Sequence, residues 1–290
     1  MKKLLVTGAS GFLGWNLCEV ARSNWEVYGT YLHKPFQMSG VKSIQLDLTN
    51  QADLRRVFQE VQPAGVVHLG ALSKPNDCQN QPELSYTINV VASREIAGLC
   101  ADREIPCAFT STDLVFDGLN APYRETDPVS PVNLYGEQKV KAEEEMLARY
   151  PQTAVCRMPL MFGVAETAPS FLQPFVKMLR DRQELKLFVD EFRTPVGAKT
   201  AARGLLLALE KAQGRLHLGG RERISRYEFG QRMVEVLALP REGLQACRQA
   251  DVQMAAPRPP DVSLDSSRAF TLGYAPPSVR EELEQLRGQV

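Results

Sequence analysis

Apolar and polar positions follow two rhythms along the first half of this chain. Lys3 to Thr7, Glu26 to Tyr31, Ser43 to Leu46, Gly65 to Leu69, Pro106 to Thr110 and Thr153 to Arg157 are short runs rich in Val, Ile, Leu and Thr, and predict β-strands. Between them, Phe12 to Ser23, Gln51 to Glu60, Glu83 to Ala101 and Tyr135 to Arg149 carry apolar residues at helical spacing. Asn50 and Ser130 fit cap or turn positions. Such alternation predicts an α/β fold: right-handed βαβ units forming a doubly wound parallel sheet, covered on both faces, with ligands at its strand C-termini.

Two long connections interrupt the rhythm, Ser111 to Leu134 and Gly163 to Ser170. Compact domains rarely keep long loops without use, so the first is expected to wall an active site. After Arg157 the pattern is mixed. Helices are predicted at Phe171 to Arg182, Ala201 to Lys211 and Arg226 to Ala238, with strands at Leu185 to Val189 and Arg215 to Leu218. Pro257, Pro259 and Pro260 impose an extended stretch before Leu264. The expected organisation is a dinucleotide-type domain over residues 1–160 and a smaller α/β substrate lobe over 161–290, with elements free to interleave.

Composition narrows the function. The 290 residues are 44% hydrophobic and 23% charged, an ordinary globular balance. Thirty-four basic and 34 acidic residues cancel, which gives no reason to expect nucleic acid or an anionic membrane as partner and points to a small-molecule substrate. Cys18, Cys78, Cys100, Cys107, Cys156 and Cys247 form no C-x-x-C pair, which suits buried thiols in a reducing compartment. His33, His68 and His217 make no compact ligand motif with them, so no metal site is expected. The opening Met1 to Val6 resembles the start of a signal peptide, but Gly8, Gly11 and Gly14 interrupt it. The longest apolar run, Leu205 to Leu209, is far short of the roughly 20 residues that span a bilayer. A cytoplasmic protein is expected.

The strongest local motif is Val6-Thr7-Gly8-Ala9-Ser10-Gly11-Phe12-Leu13-Gly14, a strand entering a glycine-rich turn and then a helix. Gly8 permits the tight turn, Gly11 lets backbone amides approach a pyrophosphate, and Gly14 allows the helix to pack closely on the strand. That is the Rossmann arrangement for a dinucleotide; a ligand-free glycine turn is the alternative. The second strand ends in Gly29-Thr30-Tyr31-Leu32-His33-Lys34, with no carboxylate for a ribose 2′-hydroxyl. His33 and Lys34 suit a 2′-phosphate, so NADP is favoured over NAD, although Lys34 equally fits a solvated loop cation. Asp47 is a candidate acceptor for the adenine amino group or a cap for the following turn.

A second constellation is Tyr135-Gly136-Glu137-Gln138-Lys139, which sets Tyr135 and Lys139 at i and i+4 on one helical face. An adjacent ammonium lowers the pKa of a tyrosine, ordinarily about 10, and makes it a usable acid–base group. Ser111 and Thr112 follow the strand ending at Thr110 and are placed to hold a substrate oxygen.

These residues resemble the extended short-chain dehydrogenases/reductases, and within them the dTDP-4-dehydrorhamnose reductase-like proteins. The resemblance rests on TGASGFLG (Thr7 to Gly14), HLGALS (His68 to Ser73), STDLVFDG (Ser111 to Gly118), PYRETD (Pro122 to Asp127), SPVNLYGEQK (Ser130 to Lys139) and APRPPDVSLD (Ala256 to Asp265), and spans nearly the whole chain. It implies an oxidoreductase with Thr112, Tyr135 and Lys139 as catalytic triad. The cofactor pocket it implies comprises Gly8, Ser10, Gly11, Phe12, Leu13, Asp47, Leu48, Gly70, Ala71, Leu72, Met158, Pro159 and Leu160. The implied reaction is NADPH-dependent reduction of a nucleotide-linked 4-keto-6-deoxysugar. Tyr135 would protonate the ketone oxygen, Lys139 would bind the nicotinamide ribose and depress the tyrosine pKa, and Thr112 would orient the carbonyl. Where the superfamily's dehydratases carry an Asp-Glu pair, this chain has Asp113-Leu114; leucine transfers no proton, which favours reduction over dehydration.

The same motifs resemble the regulatory β subunit of methionine adenosyltransferase, a binding partner rather than an enzyme, and a nucleotide-sugar epimerase is a further alternative. Val115 and Phe116 are expected to line a sugar pocket, with ordinary loop packing as the alternative, and Asp113 is counted with them. Arg193 and Lys199, by analogy with the family's substrate loop, are placed to hold a diphosphate or to form surface ion pairs. Trp15 and Trp25 are expected as packing residues, and Glu143, Glu144 and Glu145 as a solvated helix face. In the superfamily the helices at Glu83 to Ala101 and Tyr135 to Arg149 commonly form a homodimer interface.

Overall fold

The computed structural model describes residues 1–290. Its strands are β1 (Lys3–Thr7), β2 (Glu26–Tyr31), β3 (Val41–Gln45), β4 (Gly65–His68), β5 (Cys107–Thr112), β6 (Ala154–Met158), β7 (Met161–Phe162), β8 (Leu185–Phe188), β9 (Phe192–Arg193), β10 (Val196–Gly197), β11 (Gly214–His217), β12 (Ile224–Ser225) and β13 (Leu244–Cys247). The helices are α1 (Phe12–Ala21), α2 (Gln51–Val61), α3 (Pro75–Asn80), α4 (Pro82–Tyr86), α5 (Ala92–Ala101), α6 (Leu134–Arg149), α7 (Leu172–Arg180), α8 (Ala198–Lys211), α9 (Arg226–Val236), α10 (Ser267–Leu272) and α11 (Val279–Glu284).

Seven strands form one parallel sheet in the order β11-β6-β5-β4-β1-β2-β3. Strand order reverses between β1 and β4, the switch point at which α/β sheets bind ligands in the crevice outside their strand C-termini. The inner strands carry almost unbroken apolar runs because helices cover both faces. On one face α1 and α8 bury Leu17, Cys18, Ala201, Leu205 and Ala208. On the other, Leu54, Val57 and Phe58 of α2, Ile96 of α5 and Met146 of α6 pack around Phe109. The turn before α2 is set by Asn50, whose side chain accepts the N–H groups of Ala52 and Asp53, and a left-handed Gln62 ends that helix. A third core, including Phe162, Leu172, Val176, Leu187, Phe229, Met233 and Leu283, fills the lobe.

The chain crosses the expected boundary at residue 160 and returns. After β7, α7 and β8 to β10 of the lobe, α8 packs beneath the central sheet and β11 pairs with β6 to become its seventh strand. The lobe itself holds three two-stranded sheets, β7–β10, β9–β12 and β8–β13. The proline-rich segment is extended as expected. It straps the halves together, with Tyr123 N–H donating to Ser263 O (2.8 Å), Asp265 N–H to Tyr123 O (2.7 Å) and Phe192 N–H to Pro260 O (2.7 Å).

Three elements differ locally from the expected ones. The strand expected at Pro106 to Thr110 begins at Cys107 and runs on to Thr112, whose extended φ of −144° keeps it in the sheet. The helix expected at Glu83 to Ala101 contains a π-helical turn, Thr87–Val91, between α4 and α5. The expected strand at Ser43 to Leu46 lies at Val41–Gln45. No helix is long and apolar enough to cross a membrane.

Candidate active site

The glycine-rich turn leads from β1 into α1 at the mouth of the crevice. Gly8 has φ +69°, and a Cβ there would stand 2.8 Å from Gly70 Cα, so the first glycine allows the ends of β1 and β4 to meet. A Cβ on Gly14 would lie 2.2 Å from Gly8 O, which makes the helix–turn approach specific to glycine. A Cβ on Gly70 would meet Leu48 Cδ1 at 2.5 Å, so Leu48, Gly70 and the glycine turn converge. Helix α1 has no side-chain cap at Gly11, which leaves first-turn N–H groups for an anion. A dinucleotide fits this turn: Gly8 and Gly14 hold it tight against β4 and α1, the Gly8 and Gly11 N–H groups are taken up by Thr30 Oγ1 and Gly8 O, and the uncapped start of α1 is left to offer its N–H groups to a pyrophosphate.

Thr7, whose role the sequence left unassigned, locks the crevice floor. Its Oγ1 accepts the N–H groups of Leu69 (3.1 Å) and Gly70 (3.2 Å), so its own proton goes to His68 Nδ1 at 2.6 Å. That fixes the tautomer: His68 Nε2–H donates to Ser93 Oγ (3.0 Å), which donates to Asn89 O (2.7 Å). Burial holds His68 neutral, with its pKa pushed down to about 3. At the far end of β2, His33 and Lys34 are exposed. Asp47 serves the turn: its Oδ1 accepts the Thr49 N–H (2.8 Å) and hydroxyl (2.7 Å), the capping role.

Thr112 ends β5, and Tyr135 and Lys139 project from the first turns of α6, whose start is capped by Asn133 Oδ1 accepting the Gly136 N–H at 3.0 Å. The phenol is buried among Cys78, Leu114 and Leu72, with the Thr112 hydroxyl beside it. Burial raises its pKa above the ordinary value, with Cys78 and Asp113 adding to the rise. The expected lowering by Lys139 is outweighed here by burial of the phenol. The Lys139 ammonium stands 4.2 Å from the Phe109 ring centre, and loss of solvent pushes its pKa down to about 7, against the pull of Glu143.

Several expected contacts fall elsewhere. Ser111 points to the opposite face of β5 from Thr112, and its hydroxyl donates to Glu143 Oε1 at 2.5 Å, so it does not hold a substrate oxygen. Val115 and Phe116 are fully buried, Phe116 stacked on Tyr123 at 4.0 Å; they pack the loop and do not face a sugar pocket. Arg193 is no free diphosphate ligand, being buried and ion-paired to Asp113 at 2.8 Å and Glu191 at 3.3 Å. Asp113 Oδ2 is buried with no partner, and burial raises that carboxyl's pKa. Lys199 forms a surface pair with Glu19 at 2.9 Å. Glu143 is not solvated; it is 1% exposed and bonded to Arg157, because the inward face of α6 continues one turn beyond Lys139. Met158 and Pro159 are buried at the end of β6, with Leu160 half-buried behind them; Ser10, Ala71 and Leu72 are half-buried in the loops of the crevice, and Phe12 and Leu13 half-buried in the first turn of α1. Trp15 packs on Phe36 in the core.

Asn89 is the residue that sequence spacing missed. The π turn aims its amide at the loop after β4, where Oδ1 accepts the Leu72 N–H (2.9 Å) and Nδ2 donates to Leu72 O (3.1 Å) and to Gln138 Oε1 (3.0 Å). One side chain thus ties the crevice wall to α6. Its signal in the sequence is a row of polar residues, Ser85, Asn89 and Ser93, at helical spacing on a face that turns out to be buried.

A parallel sheet with a glycine-rich turn at its switch point, beside a buried threonine, tyrosine and lysine, defines a Rossmann-like α/β protein. The family model described as the RmlD substrate binding domain matches residues 1–289, and the chain belongs to that family. It is 30% identical to methionine adenosyltransferase 2 subunit beta of Xenopus laevis over 283 residues, covering 94% of this chain and 83% of that protein. It is 28% identical to a probable low-salt glycan biosynthesis reductase of Haloferax volcanii, covering 97% and 96%. The crystal structure of dTDP-4-dehydrorhamnose reductase from Bacillus anthracis in complex with NADP superposes with a TM-score of 0.87 at 21% identity, over 98% of each chain.

Proposed function

We propose that this protein is an NADPH-dependent reductase of a nucleotide-linked 4-keto-6-deoxysugar. The observation that carries the proposal is the meeting of Thr112, Tyr135 and Lys139 beside the glycine cradle, with Lys139 buried although no carboxylate pairs directly with its ammonium. A buried lysine at a ligand crevice is costly without a role for its charge. The exposed His33 and Lys34, with no carboxylate at the end of β2, support NADP over NAD.

When bound, the reduced dinucleotide supplies the hydride for the ketone carbon. Thr112 Oγ donates to the ketone oxygen and orients it. Tyr135 gives that oxygen its proton, and its raised pKa keeps the phenol protonated and ready to do so. The Lys139 ammonium stabilises the phenolate left behind and holds a ribose hydroxyl. Leu114 offers no second acid or base, which supports simple reduction.

The test is NADPH oxidation followed by absorbance with purified protein and freshly generated dTDP-4-keto-6-deoxy-L-mannose. Turnover is expected, falling by at least about 100-fold in Tyr135→Phe, the contribution of one positioned proton donor. The kinship with methionine adenosyltransferase 2 subunit beta supports a second reading, a dinucleotide-binding partner subunit. Tight NADPH binding with no turnover of this or related keto sugars would put that reading first.

A further inference from the structure

The inward face of α6 carries three functional groups in register: Tyr135, Lys139 and Glu143 at i, i+4 and i+8. Glu143 is buried, and its carboxylate takes four hydrogen bonds. Arg157 Nε donates to Oε1 (3.0 Å) and Arg157 Nη2 to Oε2 (2.8 Å), Arg215 Nε donates to Oε2 (3.0 Å), and Ser111 Oγ donates to Oε1 (2.5 Å). Ser111 is the neighbour of Thr112 on β5. A single carboxylate therefore joins the helix bearing Tyr135 and Lys139 to the strand bearing Thr112, and to β6 and β11 beyond it.

The charges around Lys139 can be accounted for on each packed element. From its own helix come Tyr135 and Glu143. From β4 comes His68 and from α3 Cys78; the imidazole is held neutral and the thiol's pKa is raised by burial. From β5 come the Phe109 ring and Ser111. From β6 comes Arg157, and from β11 come Arg215 and His217, the latter neutral with its pKa pushed down to about 4. Glu125 accepts the His217 N–H, and Asp113, in the turn after β5, is tied to Arg193. Three cations thus converge on one nearby anion.

We propose that Glu143 is a positioning residue for the reaction, whose carboxylate keeps the buried Lys139 protonated and holds Lys139 and Tyr135 in register with Thr112. The proposal rests on the reductase reading for the word reaction, but its electrostatic content stands apart from turnover. Loss of solvent alone drives Lys139 towards the neutral amine, and Glu143 is the foremost group opposing it. The two arginines do the converse work of keeping the Glu143 carboxyl ionised in the interior, below its ordinary pKa.

The experiment is an NMR titration of full-length protein carrying ¹³C-labelled lysine, with the Lys139 signal identified by its loss in Lys139→Met. In Glu143→Gln the Lys139 midpoint is expected to move down by about one unit or more, the effect of removing a close opposite charge. In Arg215→Met, at a side chain 38% exposed, the midpoint is expected to move up. If Glu143→Gln does not fold, Arg215→Met decides alone: an upward shift supports the proposal and an unchanged midpoint overturns it. Midpoints that stay put in both variants, or move the same way, also overturn it. In the reductase assay the basic limb of kcat/KM should follow the midpoints, a change that mere loss of stability does not produce. A wild type without turnover whose Lys139 midpoint moves as expected would sink the reductase reading and leave the electrostatic coupling in place.

Discussion

At Gly14 a single hydrogen in place of a methyl decides whether α1 can approach β1. With an added Cβ only 2.2 Å from Gly8 O, Gly14→Ala must push the helix away. Overpacking of this kind costs typically about 1–3 kcal/mol. The expected result is a lower unfolding midpoint in urea, together with at least about tenfold weaker NADPH binding by fluorescence titration; unchanged affinity would show that the cradle tolerates the displacement. His68 has a different residue-scale signature. Its pKa lies near 6.5 in the unfolded chain and about 3 in the fold, so between these values the unfolded state takes up the proton and the folded state does not. Stability therefore falls as pH drops below 6.5, by up to about 1.4 kcal/mol per unit. In His68→Gln, the difference in unfolding free energy between pH 7 and pH 5 should shrink by roughly 2 kcal/mol.

At the scale of elements, the π turn in the helix from Pro82 to Ala101 has the largest functional leverage. It adds a residue to one turn and so aims Asn89 at Leu72 and Gln138. Asn89→Ala leaves the Leu72 N–H without its acceptor, while the Leu72 carbonyl keeps only the Cys78 thiol, and is expected to weaken NADPH binding about tenfold, the equivalent of one buried hydrogen-bonding group. Calorimetry checks this, and equal affinities would mean that the loop holds its shape unaided. β1, β4, β5 and β6 were legible in the sequence because parallel strands buried on both faces must be continuous apolar runs, whereas the edge strand β3, with no buried residue, was placed two residues late at its start. The π turn was not legible, since one inserted residue barely alters helical periodicity. Among site residues, Gly8, Gly14, Tyr135 and Lys139 were legible from spacing. Ser111 and Glu143 were misplaced because a strand's alternation and a helix's inward face depend on the partner element. Ser111 finds a buried carboxylate behind the sheet, and Glu143 finds two arginines from strands remote in sequence.

Across the whole molecule, the two expected regions share one core. Ala201, Ala202, Leu205, Ala208, Leu209 and Leu216, all beyond residue 160, pack with Leu4, Val6, Leu17 and Trp15. A fragment of residues 1–160 is expected to bind a hydrophobic dye and to unfold without a cooperative transition, because it lacks α8 and β11. A sharp urea transition in that fragment would refute the idea. In the full chain, Trp15 and Trp25 report on the first region and far-UV circular dichroism on all helices, so the two signals should trace the same curve.

The return of the chain to place β11 beside β6 also sets a schedule for its birth on the ribosome. Until residues 159 to 213 have been made and Gly214–His217 emerges, β6 is an open edge of the sheet, and the underside awaiting α8 is bare. At about 5–20 residues per second that interval lasts several seconds, during which an apolar edge strand is free to pair with other nascent chains. A synonymous slowing of translation within that stretch would lengthen the exposure without changing one atom of the finished protein.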